Sequence, residues 1–455
     1  MPTKTETIFT PTPTALTLVE KLRQRLRVPD FVARHRKTVK AFRRQCVLTF
    51  PVLVLFILQK TAKSLQVHLH EFLGQWYAQA GLGTVTPGAV THARAKLRHQ
   101  AYVELNAEVL LPTVYGVENH AAVRRWKGHR LLGVDSSLVR LPATEPLFTA
   151  FGRVERANQN GKSSVVYSAA RVSILYDVLN HLGWDARLAP YTTAETELAR
   201  QHLPHTRKGD LLLCDRGYAG FFWFALLLAA DVDFVVRCGQ GSFTAVQELF
   251  RRNQADLSVE LVLPARPDLR KDLRQAKLPF QLRIRLVTVR LPTGELEVLA
   301  TSLLDAKRYP TEEFVQVYHW RWGIETYYGR LKGRLELENW SGQTEEAIRQ
   351  DFHATVLLSN LESVLSQGAE AQLAHQSAER KQPVQINRAV SLHAVKNQII
   401  ALLAGRQPAE KVLRQLQRLF LANPVSVRKE RKVPRQITPS GQAYHYQRNV
   451  KKIVF

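Results

Sequence analysis

At 455 residues, 45% of them apolar, the chain is too long for one simple core, and its length suits roughly two to four structural units. Three cysteines (Cys46, Cys214 and Cys238) without CxxC spacing exclude a disulfide framework and a cysteine-rich zinc site, and the longest apolar run, residues 48–58, is too short to span a membrane. The formal net charge of +25 excludes a neutral partner surface and favours a polyanion, of which nucleic acid is the commonest. Residues 1–14 hold threonine and proline but no apolar signal core, so a reducing, cytoplasmic compartment is expected.

In chain order, residues 1–125 read as helical. Residues 21–44 carry ten basic residues and one acid, Asp30. The apolar run then predicts a buried helix opening near Pro51. An amphipathic stretch follows over 64–73, where His68 and His70, two apart, fall on different sides of a helix and make no metal pair. Thr86-Pro87-Gly88 breaks the pattern, and residues 89–105 resume it with Arg94, Lys96 and Arg98. Two helices about a Gly/Pro turn, with cations on the second, give a DNA-reading element or a plain helical bundle.

From about 126 the texture alternates. Residues 130–141 read as a strand, 165–179 as two short β runs, and Thr192 or Thr193 as the cap of a helix through Glu195. Residues 210–215 form a buried strand ending in an acid; 221–228 are helical and 232–237 extended. Strands alternating with helices predict an α/β sheet. Residues 281–286 and 296–299 read as a hairpin about Pro292-Thr293-Gly294-Glu295, within a β-rich insertion. Helix resumes after Pro310 with Thr311 as its cap, and two amphipathic helices cover 395–403 and 409–421. The tail from Arg428 onward carries eight basic residues against Glu430.

Three acids stand where such a sheet could gather them: Asp135 on the first strand, Asp215 at the end of a later one, and Glu325 after the insertion. Carboxylates that face one another repel, and a divalent cation relieves the repulsion. Oxygen-only ligands select magnesium or manganese, and two such ions can activate a water or a 3′-hydroxyl against a phosphodiester. Each acid also has a plain reading: Asp135 bonded to turn amides, Asp215 capping the next helix, Glu325 paired with Arg321 or Lys332. On one continuous helix, Tyr318, Arg321, Glu325 and Lys332 fall within a stripe about 60° wide, with Ile324, Leu331 and Leu335 opposite.

The spacing Tyr318-(2)-Arg321-(3)-Glu325-(6)-Lys332 resembles the motif of the DDE transposases of bacterial insertion sequences, in the insertion-sequence-four branch. Gly133-Val134-Asp135-Ser136-Ser137, Leu213-Cys214-Asp215-Arg216-Gly217-Tyr218, residues 172–177 and residues 90–97 are similar to that family too. The resemblance implies an α/β fold with a ribonuclease-H-like core, a β-rich insertion, and helical N-terminal and C-terminal regions. It divides the chain into a DNA-binding domain (1–125), core (126–240), insertion (241–310), core with the Glu helix (311–380) and a basic C-terminal region (381–455). It implies Asp135, Asp215 and Glu325 as catalytic ligands of Mg2+ or Mn2+, two ions in all, with Tyr318, Arg321 and Lys332 on end phosphates. Arg94 and Lys96 are the N-terminal DNA contacts expected. The implied partners are transposon terminal inverted repeats, target DNA and a second copy of the chain in a synaptic homodimer, in a nucleoid-associated setting without a membrane. The implied reaction is cleavage at the ends, a hairpin intermediate and strand transfer. The chain departs in one respect: residues 239–310 hold no tryptophan to stack a flipped base, and Phe243, Phe250, Phe280 and Tyr309 are the rings present. A catalytically silent DNA-binding protein and a nonspecific nuclease of the same fold are the competing expectations.

Overall fold

The computed structural model describes residues 11–427 apart from 45, 62, 78–84, 158–163, 253, 264–265, 292–293, 379 and 381. The basic tail from Arg428, the first ten residues and the turn residues Pro292 and Thr293 lie outside the described residues. The chain forms two compact units, one of residues 1–122, 138–170 and 329–455, the other of 123–137 and 171–328. Among the described residues no helix is long and apolar enough to cross a membrane.

The second unit is built on a sheet. Its strands are β1 (Arg130–Leu141), β3 (Ser164–Asp177), β4 (Leu182–Pro190), β5 (Asp210–Cys214), β6 (Asp233–Cys238), β7 (Asp256–Val262), β8 (Gln281–Arg290) and β9 (Leu296–Thr301). β1 and β3 continue into the other unit, where β2 (Arg153–Ala157) pairs antiparallel with the start of β3. The order across the unit is β3-β1-β5-β6-β9-β8-β7, with β4 on β3. β5 is parallel to both β1 and β6, and the strands beyond β6 are antiparallel. This is the ribonuclease-H-like arrangement expected. The central strands are apolar on both faces, as parallel strands covered by helices must be. Leu132, Leu212 and Phe234 sit in one core with the helix Phe221–Ala229, and the rings of Phe224 and Phe234 stack 4.8 Å apart.

Several sequence expectations hold and others are corrected. Residues 165–179 form one long strand rather than two short runs, and β4 was missed. The insertion also carries the helices Thr244–Arg252 and Pro267–Gln275, and β9 pairs directly with β6, so its strands extend the core sheet. The helix Glu195–His202 is entered through Ala194 with no side-chain cap, because Thr193 is held in a turn by Pro190. Thr311 does not cap the helix Glu313–Trp320; its hydroxyl donates to Asp256 instead.

The first unit is helical. Its long axis of packing is Glu345–Ala378, a 34-residue helix not anticipated from the sequence. The helices Phe50–Gln59, Arg388–Asn397 and Ala409–Ala422 pack on it. Phe50–Gln59 is the buried apolar helix expected at Pro51. The helix expected over 89–105 is broken: Pro87–Arg94 ends, and Gln100–Glu104 begins anew. Between them the backbone turns aside to pair with the segment at Arg36, where Lys37 N–H donates to Lys96 and Arg98 N–H to His35.

Candidate active site

β1 and β5 present their acids by register. Gly133 on β1 is opposite Leu213 on β5. Asp215 keeps an extended backbone (φ −80°, ψ −177°). Two residues beyond the Gly133–Leu213 pair on each chain segment come Asp135 in β1 and Asp215 just past the end of β5, near enough for the Asp215 charge to act on the Asp135 carboxyl. The third acid arrives on the helix Trp322–Gly329. That helix packs over β1 at Gly133, where an added Cβ would make ordinary contact with Ile324 at 3.5 Å and a tight one with Val178 at 3.3 Å. Tyr328, one turn beyond Glu325, fastens helix to strand. Its hydroxyl donates to the Asp135 carbonyl oxygen at 2.8 Å.

The electrostatics show that the three acids sense one another. Burial first, and then the charges of Asp215 and Glu325, push the Asp135 carboxyl up to about 7, against the Ser136 amide and Arg321, which favour the anion. Asp135 Oδ1 accepts the Ser136 N–H at 2.8 Å. Asp215 Oδ1 accepts the Gly217 N–H at 2.9 Å, so Asp215 also caps the short helical turn Arg216–Tyr218. Glu325 accepts from Arg321 at 2.8 Å, with 42% of its side chain exposed. The pair is lopsided, with the Arg321 side chain buried and that of Glu325 open. Capping and ion pairing are thus present without exhausting these acids.

The donor set fits a hard divalent cation. It offers carboxylate oxygens alone, and the raised Asp135 value reflects burial first and the neighbouring acids second, both of which a bound cation would offset. Among the described residues, however, no three His, Cys, Asp or Glu side chains are drawn into a closed metal cluster. The three acids would hold such an ion by closing further around it.

The single stripe expected from Tyr318 to Lys332 is divided. The helix Glu313–Trp320 ends, Trp322–Gly329 follows, and Arg330–Arg334 winds into a wider π-helical turn. Ile324, Leu331 and Leu335 are buried, as their opposite face required. Tyr318 and Arg321 are buried too, and the Tyr318 hydroxyl and Arg321 Nε have no hydrogen-bond partner among the described residues. The Arg321 guanidinium lies over the rings of Tyr318 and Trp322, at 5.5 and 4.9 Å. Lys332 belongs to the other unit; its ammonium donates to the Leu138 carbonyl at 2.7 Å, and burial lowers its pKa.

Of the expected N-terminal DNA contacts, Lys96 is exposed and Arg94 is not. Arg94 is corrected to a structural role. Its guanidinium is buried in the helical unit, donating to Gln350, Ser341, the Ala347 carbonyl and Asp351, each at 2.6–2.7 Å. Tyr328 was missed as a site residue. Its position three residues after Glu325, on the buried side of the helix, was the available signal.

The sequence model of the family described as Transposase DDE domain matches residues 126–361, just over half of the chain. The chain is 26% identical over 281 residues to transposase InsG of insertion sequence element IS4 from Escherichia coli (strain K12). That match takes in 61% of this chain and 60% of the relative, less than two thirds of the relative's length. A solved piggyBac transposase synaptic complex with hairpin DNA overlays with a TM-score of 0.45 at 12% identity, covering 98% of this chain and 87% of that one. The matched span holds all three acids and the strands and helix that present them, and so the chain belongs to the family of transposase DDE domains.

Proposed function

We propose that the protein is a DNA transposase that cleaves phosphodiesters at transposon ends and transfers the freed ends to target DNA. The observation that carries this reading is that Asp215, just past the end of β5, and Glu325 both act on the carboxyl of Asp135 in the middle of β1. In the reading, Asp135, Asp215 and Glu325 hold Mg2+ or Mn2+, two ions in all. Such ions lower the pKa of a bound water or 3′-hydroxyl and stabilise the leaving oxygen. The chain's own part is to fix the carboxylates and to grip the strand. Arg321 is assigned to a strand phosphate, to which a guanidinium N–H would donate while Nη2 keeps Glu325 oriented, and Tyr318 is assigned beside it once the arriving strand uncovers the pair. Lys332 and Lys96 are assigned to flanking phosphates, with the basic charge of the chain drawing in the duplex.

Terminal inverted repeats, target DNA and a second copy of the chain in a synaptic complex are the partners of this reading, in a cytoplasmic, nucleoid-associated setting. If a flipped base is held during a hairpin step, Phe280 is assigned to it. At 40% exposure it is open, whereas Tyr309 is buried and bonded to His129 and Phe243 packs on Phe224.

The test is cleavage of duplexes ending in the inverted repeats that flank the coding region. Nicking is expected with Mg2+ or Mn2+, at the repeat and not in random duplex, and is expected to be lost in Asp215→Asn and Glu325→Gln. Binding without any metal-dependent product would contradict the reading, and equal cleavage of random duplex would convert it to a nonspecific nuclease.

A further inference from the structure

Behind Asp135 stand three side chains that the proposed reaction does not use. His202 Nδ1 lies 2.7 Å from Asp185 on β4, and His202 Nε2 lies 3.0 Å from the hydroxyl of Ser173 on β3. That hydroxyl is 3.3 Å from the carbonyl oxygen of Asp135. The order acid–imidazole–hydroxyl is that of an acyl-transfer triad. Here it is sealed: Ser173 is 0% exposed and His202 1%, so no substrate reaches the hydroxyl. The line ends instead on the backbone of the first catalytic acid.

The hydrogens can be assigned. Asp185, held low by its histidine partners and Arg187, is an anion and takes the Nδ1–H. Burial keeps His202 neutral, so Nε2 is bare and accepts from Ser173. One hydroxyl hydrogen thus faces two acceptors, His202 Nε2 and the Asp135 carbonyl, which fixes the Ser173 oxygen against the strand. A second tether runs in parallel. Arg171, two residues earlier on β3 and on the same side of the strand, donates to Ser136 Oγ at 3.1 Å and to Glu195 at 2.5 Å. Glu195 and His202 are the two ends of one helix, Glu195–His202. That helix therefore reaches the middle of β1 twice, at Ser136 through Arg171 and at Asp135 through Ser173.

We propose that Asp185, His202 and Ser173, seconded by Glu195 and Arg171, are positioning residues that hold the backbone of Asp135 and Ser136 so that the Asp135 carboxylate keeps its setting beside Asp215. The catalytic meaning of this relay rests on the transposase reading; the holding of the strand does not. It is the arrangement by which outer partners orient the groups that bind a metal, and losing such a partner typically weakens metal affinity or activity by about 10–100-fold.

The experiment uses the full chain and two variants. Ser173→Ala removes one oxygen, and Glu195→Gln alters the exposed end of the second tether, so both should fold. Hydrogen exchange of the 130–137 segment is read without metal, Mn2+ affinity by calorimetry, and nicking at saturating Mn2+. Ser173→Ala is expected to speed exchange at 134–137 while leaving β5 and β6 unchanged, and to weaken Mn2+ binding about 10-fold; Glu195→Gln is expected to do the same more weakly. Unchanged exchange in Ser173→Ala overturns the relay. Faster exchange with unaltered Mn2+ affinity overturns its positioning role and leaves a packing contact. If the unsubstituted protein itself neither binds Mn2+ nor nicks DNA, the transposase reading fails, and the exchange result alone decides whether the relay holds Asp135.

Discussion

Asp135→Asn is expected to abolish metal-dependent nicking and, in the absence of divalent ions at pH 8, to make the protein more stable than the parent. The two effects have one cause. The Asp135 carboxyl is held at about 7 in the folded state, above the ordinary 3.8 of an aspartate. Below about pH 4 the carboxyl is protonated in both states and costs nothing. Between about 4 and 7 the folded protein retains a proton that the unfolded chain has released, so stability falls as pH rises, and above 7 the full cost is present. Raising an aspartate this far costs at most about 4 kcal/mol. Asparagine carries no charge to desolvate and removes that cost. Urea midpoints should therefore diverge between pH 5 and 8, with the variant higher. Mg2+ should raise the midpoint of the parent and leave the variant where it was. A variant less stable than the parent at pH 8 would show that Asp135 is a structural anion.

Arg94→Ala is expected to be the most destabilising change to the helical unit, and to act on folding rather than on DNA contact. Removing Arg94 strips the Asp351 carboxylate, which is 0% exposed, of its ion-pair partner, leaving Ser341 as its hydrogen-bond donor among the described residues and the Lys60 charge nearby. Breaking a buried pair from one side typically costs about 3–5 kcal/mol, because the remaining charge is left uncompensated. Gln350 would lose the donor to its Oε1 while its Nε2 goes on donating to the backbone carbonyls of residues 94 and 97. Lys96→Ala is the matched control. Lys96 is exposed, so its loss should leave the urea midpoint within about 0.5 kcal/mol while lowering DNA affinity and the salt dependence of binding. Equal midpoints for the two variants would contradict this assignment.

Much of the core was legible in the residues because its strands are nearly all apolar. Residues 131–134 and 211–214 stand out as apolar runs, each followed at once by an acid, and a run of that kind has few alternatives to a covered parallel strand. β4 did not stand out, since Gly183, Asp185 and Arg187 interrupt its apolar residues. Glu345–Ala378 was hidden for the opposite reason: residues are buried almost all round it, including Gln350, Asp351, Asn360 and Glu362, so no single apolar stripe marks the helix. The three acids were found by position and spacing. Their supporting side chains were not, because nothing in the spacing of Ser173, Asp185, His202 and Tyr328 indicates that two strands and two helices bring them together behind Asp135. Arg94 was misassigned by the same limit: a cation in a basic helix looks like a phosphate contact until the helix that buries it is known.

The central claim is that the carboxylates of Asp135, Asp215 and Glu325 close around a divalent ion on a DNA strand. Anomalous diffraction from crystals of the protein with end DNA and Mn2+ tests it most directly. The account expects a manganese peak with Asp135 and at least one of Asp215 and Glu325 within about 2.0–2.6 Å of the ion. A bound duplex whose manganese lies away from all three acids, or whose three carboxylates remain apart with no ion among them, would contradict it.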